Sequence, residues 1–355
     1  NIEAMKKLLF ACVLIAGMGA CKEASKGLQQ HITGRMNELL VVAEKNYWNG
    51  PVGDTIRAFF GQDVAGLPQA EPAFDMLNLP AQFFDKNLKN HRNVLEVTIS
   101  PAVDSTVVEY YDSPWAKTQK FVRIRVSDEK EFYRVFDENK LKIMGIYAKA
   151  EQDRLVAVYR RTADVAIYNL FKNKYHILLS APSGYYVNKD TTGFVWFSSE
   201  TPRDSKGVVF FTDDYEHESQ FNDVVMIDRV NEMLEKFIPG PLDGNVREVS
   251  GPQGRKKITI RSFMAVDTSV PYSVIPYKYN GHYAVLIRGL WTVTNDFMAG
   301  PFVLNAVLDE ERGRIIYMMG YVYYPNNEKR NMMKQVEAVM NTMTFDYRDE
   351  GGKKK

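Results

Sequence analysis

The sequence is poor in the residues that usually announce chemistry. It has two cysteines, Cys12 and Cys21, in 355 residues, too few for a disulfide framework. Its five histidines, His31, His91, His176, His217 and His282, include no pair at the spacing of a helical zinc protease. There is no phosphate loop, dinucleotide fingerprint or Gly-x-Ser-x-Gly elbow; Ser180 and Ser183 flank Pro182 without the glycines an elbow needs. The acidic run Asp213–Glu218 lacks the central glycine of a calcium loop and reads as a solvated helix entry, so no metal and no cofactor are expected. Net charge is +1 with no basic stripe, which argues against nucleic acid as a partner. Long apolar runs are missing as well. Beyond Leu8–Ala16 they are of strand length, well short of the roughly 20 residues a membrane helix takes.

What is present begins at Met5, with Asn1–Ala4 read as upstream sequence. Lys6 and Lys7 precede the short apolar core, and residues 5–20 have the form of a signal peptide. The stretch Gly17-Met18-Gly19-Ala20-Cys21 resembles the lipobox of bacterial lipoproteins, with Met18 where leucine is commonest. The resemblance implies cleavage before Cys21 and acylation of its thiol by palmitate-type chains. Cys12 would leave with the signal peptide, so the mature chain would hold neither a disulfide nor a thiol catalyst. Two or three acyl chains, at about 0.8 kcal/mol per buried methylene, would anchor it permanently. No Asp follows Cys21; Lys22-Glu23 resembles a short form of the Bacteroidota surface-export signal. The expectation is an outer-membrane protein, lipid-anchored, on the periplasmic face or the cell surface. Its tether, residues 21–35, would reach at most ~45 Å at ~3.3 Å per residue.

The rest has the composition of a globular chain, with 45% apolar and 25% charged residues. Aromatics at 12% favour strands, and the expected class is α+β, antiparallel sheets covered by helices. Two domains are expected, 36–173 and 174–347, before a disordered tail at 348–355. In the first, residues 38–44, 94–100 and 121–127 read as strands, and residues 54–60 as a short helix ended by Gly61. Three prolines between Leu67 and Pro80 argue against a regular element there. Ser127 or Asp128 caps a helix to about Phe136, and residues 148–173, free of Pro and Gly, read as one long helix. In the second, strands are expected near 193–199, 207–212, 257–265, 283–290, 302–308 and 315–324. Residues 221–237 form an amphipathic helix, Asn326 or Asn327 caps another to about Thr342, and residues 343–345 close the fold as a strand.

This order resembles the photosystem-oxygen-evolving-subunit and Mog1-like α/β/α sandwich, a likeness of fold that carries no function. A wider resemblance covers nearly the whole mature chain. It rests on LPQAEPAFD (67–75), SPWAKTQ (113–119), APSGYYV (181–187), IPGPLDG (238–244), RGLWTVTNDFMAGPFV (288–303) and YYPNNEKRNMMKQVEAVM (323–340). Together these resemble an uncharacterised lipoprotein family of Bacteroidota, a domain of unknown function. The loop after the tryptophan usually has two glycines there; this chain has Ala299-Gly300. The resemblance implies an envelope protein and supplies no catalytic residues.

The stretch that stands out is RGLWTVTNDFMAGPF. Trp291, Asn295, Asp296, Phe297, Met298 and Phe302 place large apolar groups around a Gly-Pro turn, as a core or a partner groove. Trp48 and Trp115 carry the same two readings, since a loop is where an exposed tryptophan would be informative. The leading expectation is a noncatalytic, protein-binding accessory subunit held in the membrane by its lipid. A second is a glycan or small-molecule binder using Trp48, Trp115 or Trp291 as a stacking platform. A third is a hydrolase using carboxylates such as Glu71 and Asp75 paired in space.

Overall fold

The computed structural model describes residues 30–347 except 86, 252 and 253. Cys21, the signal peptide and most of the tether lie outside the described residues, as does the tail from 348. The protein is α+β, with two principal sheets.

The first sheet holds β1 (Glu38–Val42), β2 (Asp75–Leu79), β3 (Asn93–Ile99), β4 (Val107–Asp112) and β5 (Lys120–Val126), in the order β2-β1-β3-β5-β4. Here the antiparallel expectation is corrected: β1 pairs with β2 and β3 in parallel, β3 with β5 likewise, and only β4 runs against its neighbour. The reason is connection length. Parallel strands need a crossover, and α1 (Lys45–Trp48) and α2 (Pro51–Phe60) lie in the one between β1 and β2. β2 itself corrects the expectation of no regular element between Leu67 and Pro80. Its five residues fit between Pro72 and Pro80, and as an edge strand it pairs only with β1.

The helices are also divided differently from the expectation. Asp128 caps α3 (Glu129–Arg161), accepting from Glu131 N at 2.9 Å, but the helix continues far past Phe136. It tolerates Gly145 because Phe132, Val135, Phe136, Ile143, Tyr147 and Ala150 bury one continuous stripe, mostly against the face of the sheet that also carries α2. The long helix expected over 148–173 is broken at Thr162–Asp164. There Asp164 N donates to Ala181 O at 2.8 Å, and the Asp164 carboxylate caps α4 (Val165–Tyr175) through Ala166 N and Ile167 N.

The second half continues with β6 (Ile177–Leu178), β7 (Tyr186–Thr191), β8 (Phe194–Glu200) and β9 (Ser205–Asp214). After α5 (Asp223–Phe237) come β10 (Val246–Gly251), β11 (Gly254–Thr259), β12 (Met264–Val266), β13 (Ser273–Tyr279), β14 (His282–Val293), β15 (Ala299–Asp309) and β16 (Arg314–Tyr323). The helix α6 (Arg330–Asn341) and β17 (Thr344–Phe345), which pairs with β6, close the fold. Eight strands form one antiparallel sheet, β12-β14-β15-β16-β9-β8-β7, with β13 also on β14. It is apolar on both faces. Alternate residues Val303, Val307, Ile316 and Met318 meet α4 and α6, while Phe302, Leu304, Ile315 and Tyr317 meet α5. The single strand expected over 257–265 is two, because the chain leaves β11, an exposed two-stranded arm with β10, before entering the sheet at β12.

One buried histidine makes the first half acid-sensitive. His91 lies beneath Gly34, with Nε2 3.6 Å from Glu38 Oε1 and without a hydrogen-bond partner among the described residues. Burial holds its pKa below the ordinary 6.5; Glu38 and Glu151 act against that and Arg92 adds to it. The unfolded chain therefore binds the proton more tightly. The neutral imidazole's stability is complete above pH 6.5 and is lost as pH falls from there toward the folded pKa. Denaturation midpoints measured between pH 7 and 5 should fall, and His91→Leu should flatten that slope; an unchanged slope would exclude His91 as its source.

Candidate functional site

The α5-side face of the large sheet is not fully covered. α5 stops at Phe237 because Pro239 and Pro241 follow, and past that point the sheet carries an open pocket of about 330 Å³. Trp196 and Glu200 of β8, Trp291 and Val293 of β14, and Tyr321 and Tyr323 of β16 line it, with Met264, Met298 and the 238–241 turn at its edges.

Two glycines make room for these rings. Gly207 lies opposite Tyr321, and a Cβ there would stand 2.6–2.7 Å from the phenol ring. Gly300 lies opposite Trp291; a Cβ there would stand 2.0 Å from Val322 O and 3.0 Å from the indole nitrogen. Each ring thus crosses a bare stretch of neighbouring strand and reaches a partner beyond it. Trp291 Nε1 donates to Val322 O at 3.2 Å, and Trp196 Nε1 donates to Tyr321 Oη at 2.9 Å. The rings are inclined rather than stacked: Trp291 meets Tyr321 at 78° with centroids 5.8 Å apart, and Tyr323 at 55° and 6.3 Å. Burial pushes the Tyr321 phenol well above its usual range, so it stays neutral.

The residues singled out from sequence separate here. Trp291, only 2% exposed, and Met298 line the pocket, whereas Phe302 is core beneath it. Asn295, in a left-handed turn at φ 59°, donates to Arg261 O at 2.8 Å, and Asp296 accepts from Phe297 N at 2.5 Å. That turn holds Phe297 out with its whole side chain in solvent, at 104% relative exposure. Trp115 and Trp48 belong to the first half, away from this face. Trp115 packs edge-on to Phe84 and Phe121, and Trp48 lies under the Arg57 guanidinium at 4.3 Å. Trp196 and Tyr321 were not singled out. For Tyr321 the signal was a large aromatic directly opposite a glycine, Gly207, which needs the register to be seen; Trp196, opposite Lys189 and Val209, carried no such signal.

The other candidate groups have structural partners. Asp213 holds Arg229 with two contacts of 2.8 Å, and His217 Nδ1 lies 2.7 Å from Ser219 Oγ. Glu71 accepts Lys329 N and Arg330 N, each at 2.7 Å, and Asp75 pairs with the Arg330 guanidinium at 2.7 Å, so both carboxylates are engaged by the start of α6. A bidentate Arg288–Glu337 pair, at 2.6 and 3.0 Å, separates two small cavities of about 80 and 160 Å³ beside α6. No group of His, Cys, Asp and Glu suited to a metal ion occurs among the described residues.

Comparison with known proteins gives family rather than activity. Residues 32–160 match a family model described as Domain of unknown function (DUF8532). No curated protein matches the chain. A crystal structure from Bacteroides thetaiotaomicron VPI-5482, at 1.50 Å resolution, is similar at 14% identity with a TM-score of 0.21; the similarity covers 50% of this chain and 47% of that one. Residues 164–342, half of the sequence, match a second family model, and the chain belongs to that family, Domain of unknown function (DUF4837).

Proposed function

We propose that the protein is a noncatalytic Bacteroidota envelope lipoprotein, acylated at Cys21 and anchored in the outer membrane, that binds another envelope protein through the aromatic pocket and its rim. The observation that carries this reading is Phe297, a wholly exposed aromatic on the turn whose next residue, Met298, lines the pocket. Large exposed aromatics beside a concave apolar surface are the usual anchors of protein interfaces. The neighbouring β10–β11 arm adds exposed Val246, Val249 and Ile258. Membrane attachment rests on the lipobox resemblance. The polar groups of the pocket lining are few, Glu200, Ser205 and the tyrosine hydroxyls, set among large apolar and aromatic side chains, a composition that suits binding. We also read the second half as a Mog1-like sandwich; an antiparallel sheet with helices on both faces supports that likeness.

The glycan alternative has less to rest on. Of its three tryptophans, Trp291 is buried, Trp48 is covered by Arg57, and Trp115 is packed against two phenylalanines. The test places a photoreactive amino acid at 297 in the full chain, irradiates intact cells and identifies the adducts, with Cys21→Ala as a control for anchoring. One stoichiometric adduct, reduced at least tenfold by Phe297→Asp in a chain labelled elsewhere on the rim, is the expected result. No adduct at 297, or capture indifferent to Phe297→Asp, would sink the reading.

A further inference from the structure

We infer that the aromatic pocket takes an alkylammonium group, presented as a lysine side chain of the bound partner. This rests on the pocket's being the binding site, and adds the chemical class of what enters it.

Four observations point the same way. First, the lining contains one charged residue, Glu200; no lysine or arginine is part of it. Second, Glu200 is solvent-exposed and in no ion pair among the described residues. Its neighbours are neutral hydroxyls: Ser198, which donates to Oε1 at 3.0 Å, and the Tyr186 phenol. Third, both indole N–H groups are already satisfied, Trp196 by Tyr321 and Trp291 by Val322, so neither is free to receive an anion or a carbonyl. What the aromatic walls retain is their π-electron density, negative over the ring face. Fourth, Trp291 and Tyr321 are buried and form the floor, while Trp196 and Tyr323 are only partly buried and keep ring surface toward the pocket. Partly exposed ring faces attract a cation, and an ammonium, unlike a planar guanidinium, needs no single flat face to stack on. A carboxylate at the mouth and ring quadrupoles within both favour a cation. The alkyl stem of a lysine would lie along Met264, Met298 and Val293.

The experiment uses the full chain in a nonionic detergent, followed by tryptophan emission at low salt. The probes are N-acetyl-lysine methylamide, its ε-trimethylated form, the arginine analogue and the neutral norleucine analogue. The trimethylated and free lysine probes should bind about tenfold more tightly than norleucine, and more tightly than arginine. Glu200→Gln should reduce that preference severalfold, read as the ratio of trimethyl-lysine to norleucine affinity within the same variant. Equal binding of the cationic and neutral probes would overturn the inference, and so would failure of every probe to bind. The photo-adduct at 297 reports separately: an adduct without cation preference leaves the partner reading standing and removes only the lysine, and the converse result removes the partner.

Discussion

Replacing Glu151 with alanine should lower the stability of the first half by about 3–5 kcal/mol, the cost of leaving buried cations without their counter-charge. Glu151 is 1% exposed on the inner face of α3. Its Oε1 accepts from Asn93 Nδ2 at 2.6 Å and Arg154 Nη1 at 2.8 Å and lies 3.1 Å from Arg92 Nε. Arg154 also donates to Thr118 O and Arg92 O, at 2.8 and 2.9 Å. The cluster therefore clips the second half of α3 to the chain entering β3 and β5. Burial already pulls the Arg154 guanidinium down to about 10, against the pull of Glu151. Removing the carboxylate leaves the burial penalty and takes away the attraction. Pairing the change with a second one separates this account from simple loss of packing: Glu151→Leu with Arg154→Met should be more stable than Glu151→Ala alone, because an apolar pair of similar volume leaves fewer charges unpaired. Urea midpoints of the variants would decide it. A cost below about 1 kcal/mol for Glu151→Ala would mean that water reaches the cluster and that it contributes no more than a surface pair.

The parts of the fold that were legible in the sequence are those specified by local pattern. α5 announces itself by apolar spacing, with Asn222 as its cap and Pro239 beyond its end. β15 and β16 read as near-continuous apolar runs joined through Asp309–Gly313, and Gly313 takes the left-handed turn at φ 59°. What was not legible depends on partners far along the chain. Strand alternation in 94–100 and 121–127 is the same whether the neighbour runs parallel or antiparallel, so direction had to come from the crossovers. The break between α3 and α4 is made by pairing with Ala181 rather than by a proline or glycine. The pocket was half visible. Trp291 and Met298 stand in one notable stretch, but Trp196, Glu200 and Tyr321 reach it only through the strand order β15-β16-β9-β8.

Replacing Glu71 with alanine should cost about 3 kcal/mol and loosen the two halves from each other. The start of α6 has no local cap: Lys329, its N-cap, contributes no side-chain bond, and Asn327 donates to Pro325 O instead. The cap comes from residue 71, 3% exposed on the loop before β2, whose two carboxylate oxygens accept Lys329 N and Arg330 N. A carboxylate at a helix N-terminus is favoured by the helix dipole, and its removal would strand two buried donors at about 1–3 kcal/mol each, partly relieved by water. The same helix face is held by Arg330 on Asp75 and by Lys334 Nζ on Asn37 Oδ1 at 2.6 Å, so loss of the cap should spread. Glu71→Gln should recover roughly half the loss, since an amide retains one acceptor but not the charge. This separates a structural carboxylate from a catalytic one. A hydrolytic Glu71 would lose activity on either substitution with little change in stability; a capping Glu71 should lose stability in the order Ala, then Gln, and expose the 62–74 loop to proteolysis in parallel. If Glu71→Ala unfolds at the wild-type denaturant concentration, the carboxylate is free for other work, and the hydrolase reading returns with Glu71 as its first candidate.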